Sequence, residues 1–211
     1  MTALTLEQAR DLGAHLALPR GASVVAWDSP TARLVRAGLD LAAAIPGVGS
    51  LLDAASLRDP RVSRCVPTPA GALVLLSEGT ATDPATYVEA VAHEVTHAGQ
   101  IARVGAAQGA IDYLGSGELR ADREAQAYVV GLFARYLVTG DLPTEADAMA
   151  RLGGGLYHLD AGELELARGV VASGLATIAA GLSPPYAVAL DVLAWLRAHA
   201  PEAIVPAEHR P

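Results

Sequence analysis

The sequence contains a single cysteine, Cys65, so no intramolecular disulfide can form. Chains without disulfides are typical of reducing compartments. The N-terminus also lacks the basic stretch and the long apolar run of a signal peptide. We therefore expect a cytoplasmic protein, and export by a route that needs no N-terminal signal stays open.

Aromatic residues are scarce, at 4% of the 211 residues, whereas apolar residues make up 52%. A core with so few rings must be filled by Ala, Leu and Val, which favours closely packed helices. The length suits a single domain with a continuous core. We expect that domain to span residues 1–200, followed by a flexible tail at 201–211.

Positive charge is scarce as well. The net charge is −8 and no basic run occurs, which argues against a nucleic-acid backbone as the main partner. The longest uncharged stretch, Gly169–Leu190, is interrupted by Gly174, Gly181 and the Pro184-Pro185 pair. Those interruptions predict a buried helix, a turn and the start of another helix rather than a membrane span.

The N-terminal part of the chain mixes helical and strand patterns. Pro and Arg are concentrated in Arg58–Pro69, which predicts a surface loop. The predicted regular elements are a helix at Leu4–Leu18, a strand at Ser23–Trp27, a helix at Thr31–Ile45 stopped by Pro46–Gly49, a short helical piece at Ser50–Leu57 and a strand at Ala72–Ser77.

The segment after the strand predicts one long helix. Asp83 is placed to cap its N-terminus, with Pro84 at the first helical position, and the helix should end near Val104, before Gly105. Its apolar residues recur at the helical spacing and predict a buried stripe of Val88, Val91, Val95, Ala98 and Ile101.

The C-terminal half should be helical throughout. Ala106–Gly117 is predicted to be a mixed connection, and Ser116 can cap the helix that follows. The predicted helices are Glu118 to about Val138, Asp141 to about Leu152, Gly162–Gly181 and Pro185–Ala200, with a loose tail at Pro201–Pro211.

The long helix contains the stretch His93-Glu94-Val95-Thr96-His97. Histidines four residues apart lie about 40° apart around a helix and roughly one turn along it. Both imidazoles can therefore bind one Zn²⁺, and Glu94 is close enough to accept a proton from a water there. A chance match is the simpler alternative, but the chain has only 6 histidines.

The stretch resembles the H-E-x-x-H motif of the zincin metallopeptidases. The resemblance implies an α+β fold, predominantly helical, in which a zincin-like core with a small sheet beside the motif helix is followed by additional C-terminal helices. It also implies a zinc-dependent hydrolase with one Zn²⁺ per chain, a peptide or protein substrate, and an edge strand that binds the extended substrate.

A catalytic zinc site needs a third protein ligand. The branch with a third histidine is excluded because Gln100 and Arg103 stand at its Gly and His positions. Peptide deformylases use a cysteine, but the surroundings of Cys65 do not resemble their motif. A lone cysteine is more often a small buried apolar residue.

The remaining branch is the gluzincin type, in which a glutamate on a following helix completes the site. Glu124 lies among small residues (Ala121, Ala127, Gly131) that would let its helix approach the histidines, and this stretch looks like that of small bacterial gluzincins. Glu118 resembles the thermolysin-like arrangement and stays the alternative. The two side chains are about 120° apart around the helix, so both cannot reach one metal ion.

Other predicted site residues have supporting roles. Asp122 could orient a histidine if Glu118 binds the metal. Tyr128, Tyr157, His158 and Arg123 could each stabilise the oxyanion, and the sequence does not choose among them. A zincin-like binding or structural module without catalysis is the alternative function, against which the retained Glu94 weighs. The oligomeric state is not predicted.

Overall fold

The computed structural model describes residues 3–26, 28–44, 59, 61–68, 70–153 and 159–206. These residues are predominantly helical and include a small three-stranded sheet, so the predicted α+β class with mostly helical content is confirmed. The predicted helical piece Ser50–Leu57 and the stop at Pro46–Gly49 lie outside the described residues.

The helices and strands follow one another along the chain with short 3₁₀ turns at Leu18–Arg20, Glu78–Ala81 and Pro201–Ala203. The longer elements are α1 (Leu6–Ala17), β1 (Ala22–Ala26), α2 (Pro30–Ala43), β2 (Arg64–Thr68), β3 (Gly71–Leu76), α3 (Pro84–Val104), α4 (Ala106–Gly115), α5 (Gly117–Thr139), α6 (Glu145–Leu152), α7 (Ala161–Ala179) and α8 (Ala187–His199).

The sheet has the strand order β1-β3-β2, with β1 parallel and β2 antiparallel to β3. The predicted strand Ala72–Ser77 is thus the central strand, and Arg64–Thr68, predicted to be loop, is an edge strand. The loop prediction was wrong because the concentration of proline and arginine in this stretch, which favours a loop, does not exclude a strand. An edge strand tolerates proline, since the missing N–H can face away from the neighbouring strand.

Helix α3 matches its prediction. The Asp83 carboxylate accepts a hydrogen bond from the Thr86 N–H at 2.7 Å, Pro84 opens the helix and Gly105, at φ 86°, follows its end. Four members of the predicted stripe are buried, and Ile101 is half-buried. Capping and periodicity were sufficient to place this helix because both are local signals.

Helix α4 was missed, since it lies within Ala106–Gly117, which was predicted to be a mixed connection. Its apolar residues Ala107, Ala110, Ile111 and Leu114 do recur at the helical spacing, but the helix is short and Gly109 is its only buried residue. Polar contacts with α5 hold it instead, among them the ion pair between Arg123 and Asp112 at 2.6 Å. The two residues of this ion pair are eleven positions apart, a separation that a local pattern does not reveal.

Helix α5 begins at a Ser116 cap, as predicted, and crosses α3 at Gly131. A methyl group at Gly131 would lie 2.9 Å from the Glu89 carbonyl oxygen and 3.4 Å from the His93 Cβ. The predicted small-residue face therefore does allow the two helices a close approach. Ala121 and Ala127 on the same helix are fully buried.

The C-terminal helices pack on α5. The uncharged stretch forms helix α7, a turn at Gly181 with φ 75°, and helix α8, as predicted. Within the described residues no helix has the length and hydropathy needed to cross a membrane. Part of the predicted loose tail is packed: Ala203 and Val205 are buried, and the Val205 N–H donates to the Leu137 carbonyl at 2.8 Å.

The helix crossing yields a stability prediction. Replacing Gly131 by Ala forces the α3 backbone away and should lower the free energy of unfolding by about 1–3 kcal/mol in chemical denaturation. Gly169 on α7 has nothing within 4 Å of an added Cβ. Gly169→Ala is the matched control and should raise stability by about 0.5–1 kcal/mol. Equal effects of the two variants would contradict the close approach.

Candidate metal centre

Three potential metal ligands converge where α3 crosses α5. His93 and His97 lie one turn apart on α3, with their Nε2 atoms 3.1 Å apart. The Glu124 Oε2 atom of α5 lies 3.4 Å from each of these nitrogens. Among the described residues no other group of three such side chains comes as close together. Glu118, the alternative third ligand, is exposed at the start of α5 and is not in the group.

The spacing of the three atoms suits a zinc ion. Ligand atoms at tetrahedral positions about 2.0–2.1 Å from Zn²⁺ lie about 3.3 Å from one another. Two imidazoles and a carboxylate are an ordinary donor set for zinc. The Glu124 Oε2 atom is buried without a hydrogen-bond partner among the described residues, which is costly unless a cation approaches it. These residues therefore fit a divalent metal.

Gln100 orients His97. Its amide NH₂ donates to the Arg123 carbonyl at 3.3 Å, which turns the amide oxygen toward His97. That oxygen lies 2.9 Å from His97 Nδ1, so Nδ1 carries the proton and donates it. Nε2 is then the nitrogen that faces the group of three, and it can bind a metal ion once it has lost its proton.

Tyr113 holds the other oxygen of Glu124. Its hydroxyl donates to the Glu124 Oε1 atom at 2.6 Å. Tyr113 was not among the predicted site residues because its segment was predicted to be a connection rather than helix α4. No signal in the sequence pairs it with Glu124.

Glu94 is the buried carboxylate beside the histidines, with 6% of its surface exposed. Burial raises its pKa, while His93 and His97 act in the opposite direction. Arg64 of β2 is charge-coupled to Glu94, and burial lowers the pKa of this arginine to about 10. The arginine stays positive at neutral pH and favours the charged form of Glu94.

A cavity of about 160 Å³ opens beside the group of three. Its walls come from β2, α3, α4 and α5, and His93, His97, Glu94 and Glu124 all line it. Cys65 lines it as well. Burial raises the pKa of the Cys65 thiol, so the sulfur stays protonated, and it lies outside the group of potential ligands. The interpretation of Cys65 as an apolar residue agrees with these surroundings.

The other predicted residues are placed less centrally. Tyr128 meets His93 edge-on, with ring centroids 6.3 Å apart, but it does not line the cavity. Asp122 accepts a hydrogen bond from Gln126 at 2.9 Å and bonds neither histidine. Arg123 lines the cavity, with its guanidinium bound to Asp112. Tyr157 and His158 lie outside the described residues.

Comparison of the chain with models of protein families, with curated proteins and with solved structures finds no match. The function must therefore be inferred from the chemistry of the site itself.

The metal centre can be tested by metal content. The purified protein should contain about one zinc ion per chain. Glu124→Gln should lower zinc affinity at least about tenfold, because a neutral amide replaces a buried charged ligand. Glu118→Gln is the control on the same helix and should retain the parent's zinc content in elemental analysis. Loss of zinc from the Glu118 variant alone would contradict the assignment.

Metal affinity should depend on pH. Burial disfavours the charged form of His97, but Glu124, Glu94 and the Gln100 amide together outweigh burial and raise the His97 pKa from 6.5 to about 9 in the metal-free protein. Zinc must displace that proton, so apparent affinity should rise about tenfold per pH unit up to pH about 9. The His97–Glu124 pair stabilises the metal-free fold fully below the unfolded pKa and is lost as pH rises through about 9.

Competition with a chromophoric chelator measures this dependence. An apparent zinc affinity that stops rising near pH about 6.5, the ordinary histidine value, would contradict the predicted ion pair.

Proposed function

We propose that this chain is a zinc-dependent metallopeptidase of the gluzincin type, with a zincin-like core. The observation that carries the proposal is the triangle of His93, His97 and the buried Glu124, with the buried Glu94 beside it. Charged side chains are rarely buried unless paired or functional, and here two carboxylates share one cavity with two imidazoles.

His93 and His97, as neutral imidazoles, and Glu124 would hold one zinc ion. When bound there, zinc would polarise the scissile carbonyl and lower the pKa of a water molecule. Glu94 accepts the proton of the attacking water and delivers it to the leaving amine, which is general acid–base catalysis by one carboxylate. Arg64 supports the first step because its charge favours ionised Glu94.

The sheet edge beside the cavity supports the proposal that the substrate is a peptide. The Ala72 N–H of β3 donates to the Gly21 carbonyl, so the backbone groups of Ala72 face β1. Because backbone groups alternate in direction along a strand, those of the residues before and after Ala72 face β2. In β2, the backbone groups of Cys65 and Pro67 then face outward, and no described strand pairs with them. An extended peptide could pair there and place its carbonyl near Glu94.

A structural zinc site is the competing function. Structural sites are usually closed by four protein ligands. Here the described residues supply three, and Glu94 adds a buried carboxylate outside the ligand group that a structural site does not need. The open cavity beside the three ligands also favours catalysis.

Replacing the proposed base separates the two functions. Glu94→Gln should keep about one zinc ion per chain and lower peptide hydrolysis by about 10²- to 10⁴-fold, measured by mass spectrometry of a peptide library. The exposed Glu118→Gln variant is the control and should cleave as the parent does. Cleavage by Glu94→Gln at the parent's rate would refute the assignment, and zinc binding without cleavage by the parent would favour a structural module.

A further inference from the structure

The two carboxylate oxygens of Glu124 have different surroundings. Oε2 lies 3.4 Å from the Nε2 atoms of His93 and His97 and has no hydrogen-bond partner among the described residues. Oε1 accepts a hydrogen bond from the Tyr113 hydroxyl at 2.6 Å. One oxygen of the Glu124 carboxylate therefore faces the two histidines, and the other is held by the Tyr113 hydroxyl.

The position of Tyr113 is fixed by contacts between α4 and α5. Arg123 of α5 binds the Asp112 carboxylate at 2.6 Å and the Gly109 carbonyl at 3.3 Å. Arg120, one turn earlier on α5, donates to the Tyr113 carbonyl at 3.0 Å. Contacts from the helix that carries Glu124 thus hold the helix that carries Tyr113, so the phenol and the carboxylate keep their relative position.

We propose that Tyr113 is a positioning residue that restricts Glu124 to metal coordination through Oε2 alone and thereby keeps one coordination position open. The inference depends on the metal centre proposed above. It goes beyond that proposal because it gives a residue of α4 a specific role. Tyr113 keeps the metal site open, so that water or substrate can bind, rather than closed.

The physical reason is the cost of an unsatisfied buried oxygen. Only 2% of the Glu124 surface is exposed, so Oε1 depends on the Tyr113 hydroxyl as its donor. Without that donor, Oε1 would carry the full desolvation penalty of a charged acceptor. A metal ion bound at the site would then be the nearest electrophile, and coordination by both Glu124 oxygens would occupy the position that the parent leaves open.

Cobalt substitution can test this without any measurement of catalysis. Co²⁺ replaces zinc in such sites and absorbs visible light in a way that reports its coordination. Azide, a small anion that binds through one atom, should enter the open position of the cobalt-loaded parent and change the spectrum. In Tyr113→Phe, cobalt should stay bound and azide affinity should fall by about 10- to 100-fold, the usual effect of losing a residue that orients a ligand.

Two further variants complete the experiment. Tyr87→Phe removes the hydroxyl of a buried tyrosine of α3 that packs against Gly13 of α1, away from the metal centre, and should leave azide affinity unchanged. Asp112→Asn loosens α4 without touching the phenol and should weaken azide binding in the same direction, by less than Tyr113→Phe does.

Parent-like azide affinity in Tyr113→Phe would overturn the inference. Loss of cobalt from that variant at saturating Co²⁺ would also overturn it, since coordination by two oxygens should not release the metal. A parent that binds no cobalt would refute the metal centre itself. Cobalt and azide binding as expected, without peptide hydrolysis, would refute only the peptidase function.

Discussion

The close approach of α3 and α5 is the constraint on which the site depends. A glutamate side chain is short, so its helix must pass near the histidines for the carboxylate to reach them. Gly131 makes this possible because its missing side chain leaves room for the Glu89 carbonyl and the His93 Cβ. The same crossing brings Arg123 beside Gln100, through which His97 is oriented. One glycine contact therefore supports both the reach of Glu124 and the orientation of a histidine.

The site contains buried charged groups, each of which would destabilise the folded state without a partner. Glu94 and Glu124 are both almost fully buried, and burial raises the pKa of each carboxyl group. Nearby charges offset this cost: the histidines lower the Glu124 pKa below its usual range, and Arg64 lies opposite Glu94. Apolar residues of similar size would stabilise the core more simply. Such local conflicts with core packing are expected where function requires them.

Helix α4 links the fold to the chemistry of the site. It contributes little to the apolar core, since Gly109 is its only buried residue. Ion pairs and hydrogen bonds to α5 hold it in place, and through them Tyr113 reaches Glu124. A segment that would otherwise be a surface connection thus forms one wall of the cavity. Its polar attachment fits a role in arranging ligands rather than in stabilising the core.

The sequence by itself determined the α3 helix, its cap, its buried stripe and the shared face of His93 and His97, because these depend on residues within a few turns of one another. It also predicted the helical class and the small-residue face of α5. Only the tertiary structure decided that Glu124 rather than Glu118 meets the histidines, that β2 is the strand beside the cavity and that Tyr113 holds a carboxylate oxygen. Those features depend on how α5 is rotated against α3 and on contacts between segments far apart in the chain, which local periodicity cannot specify.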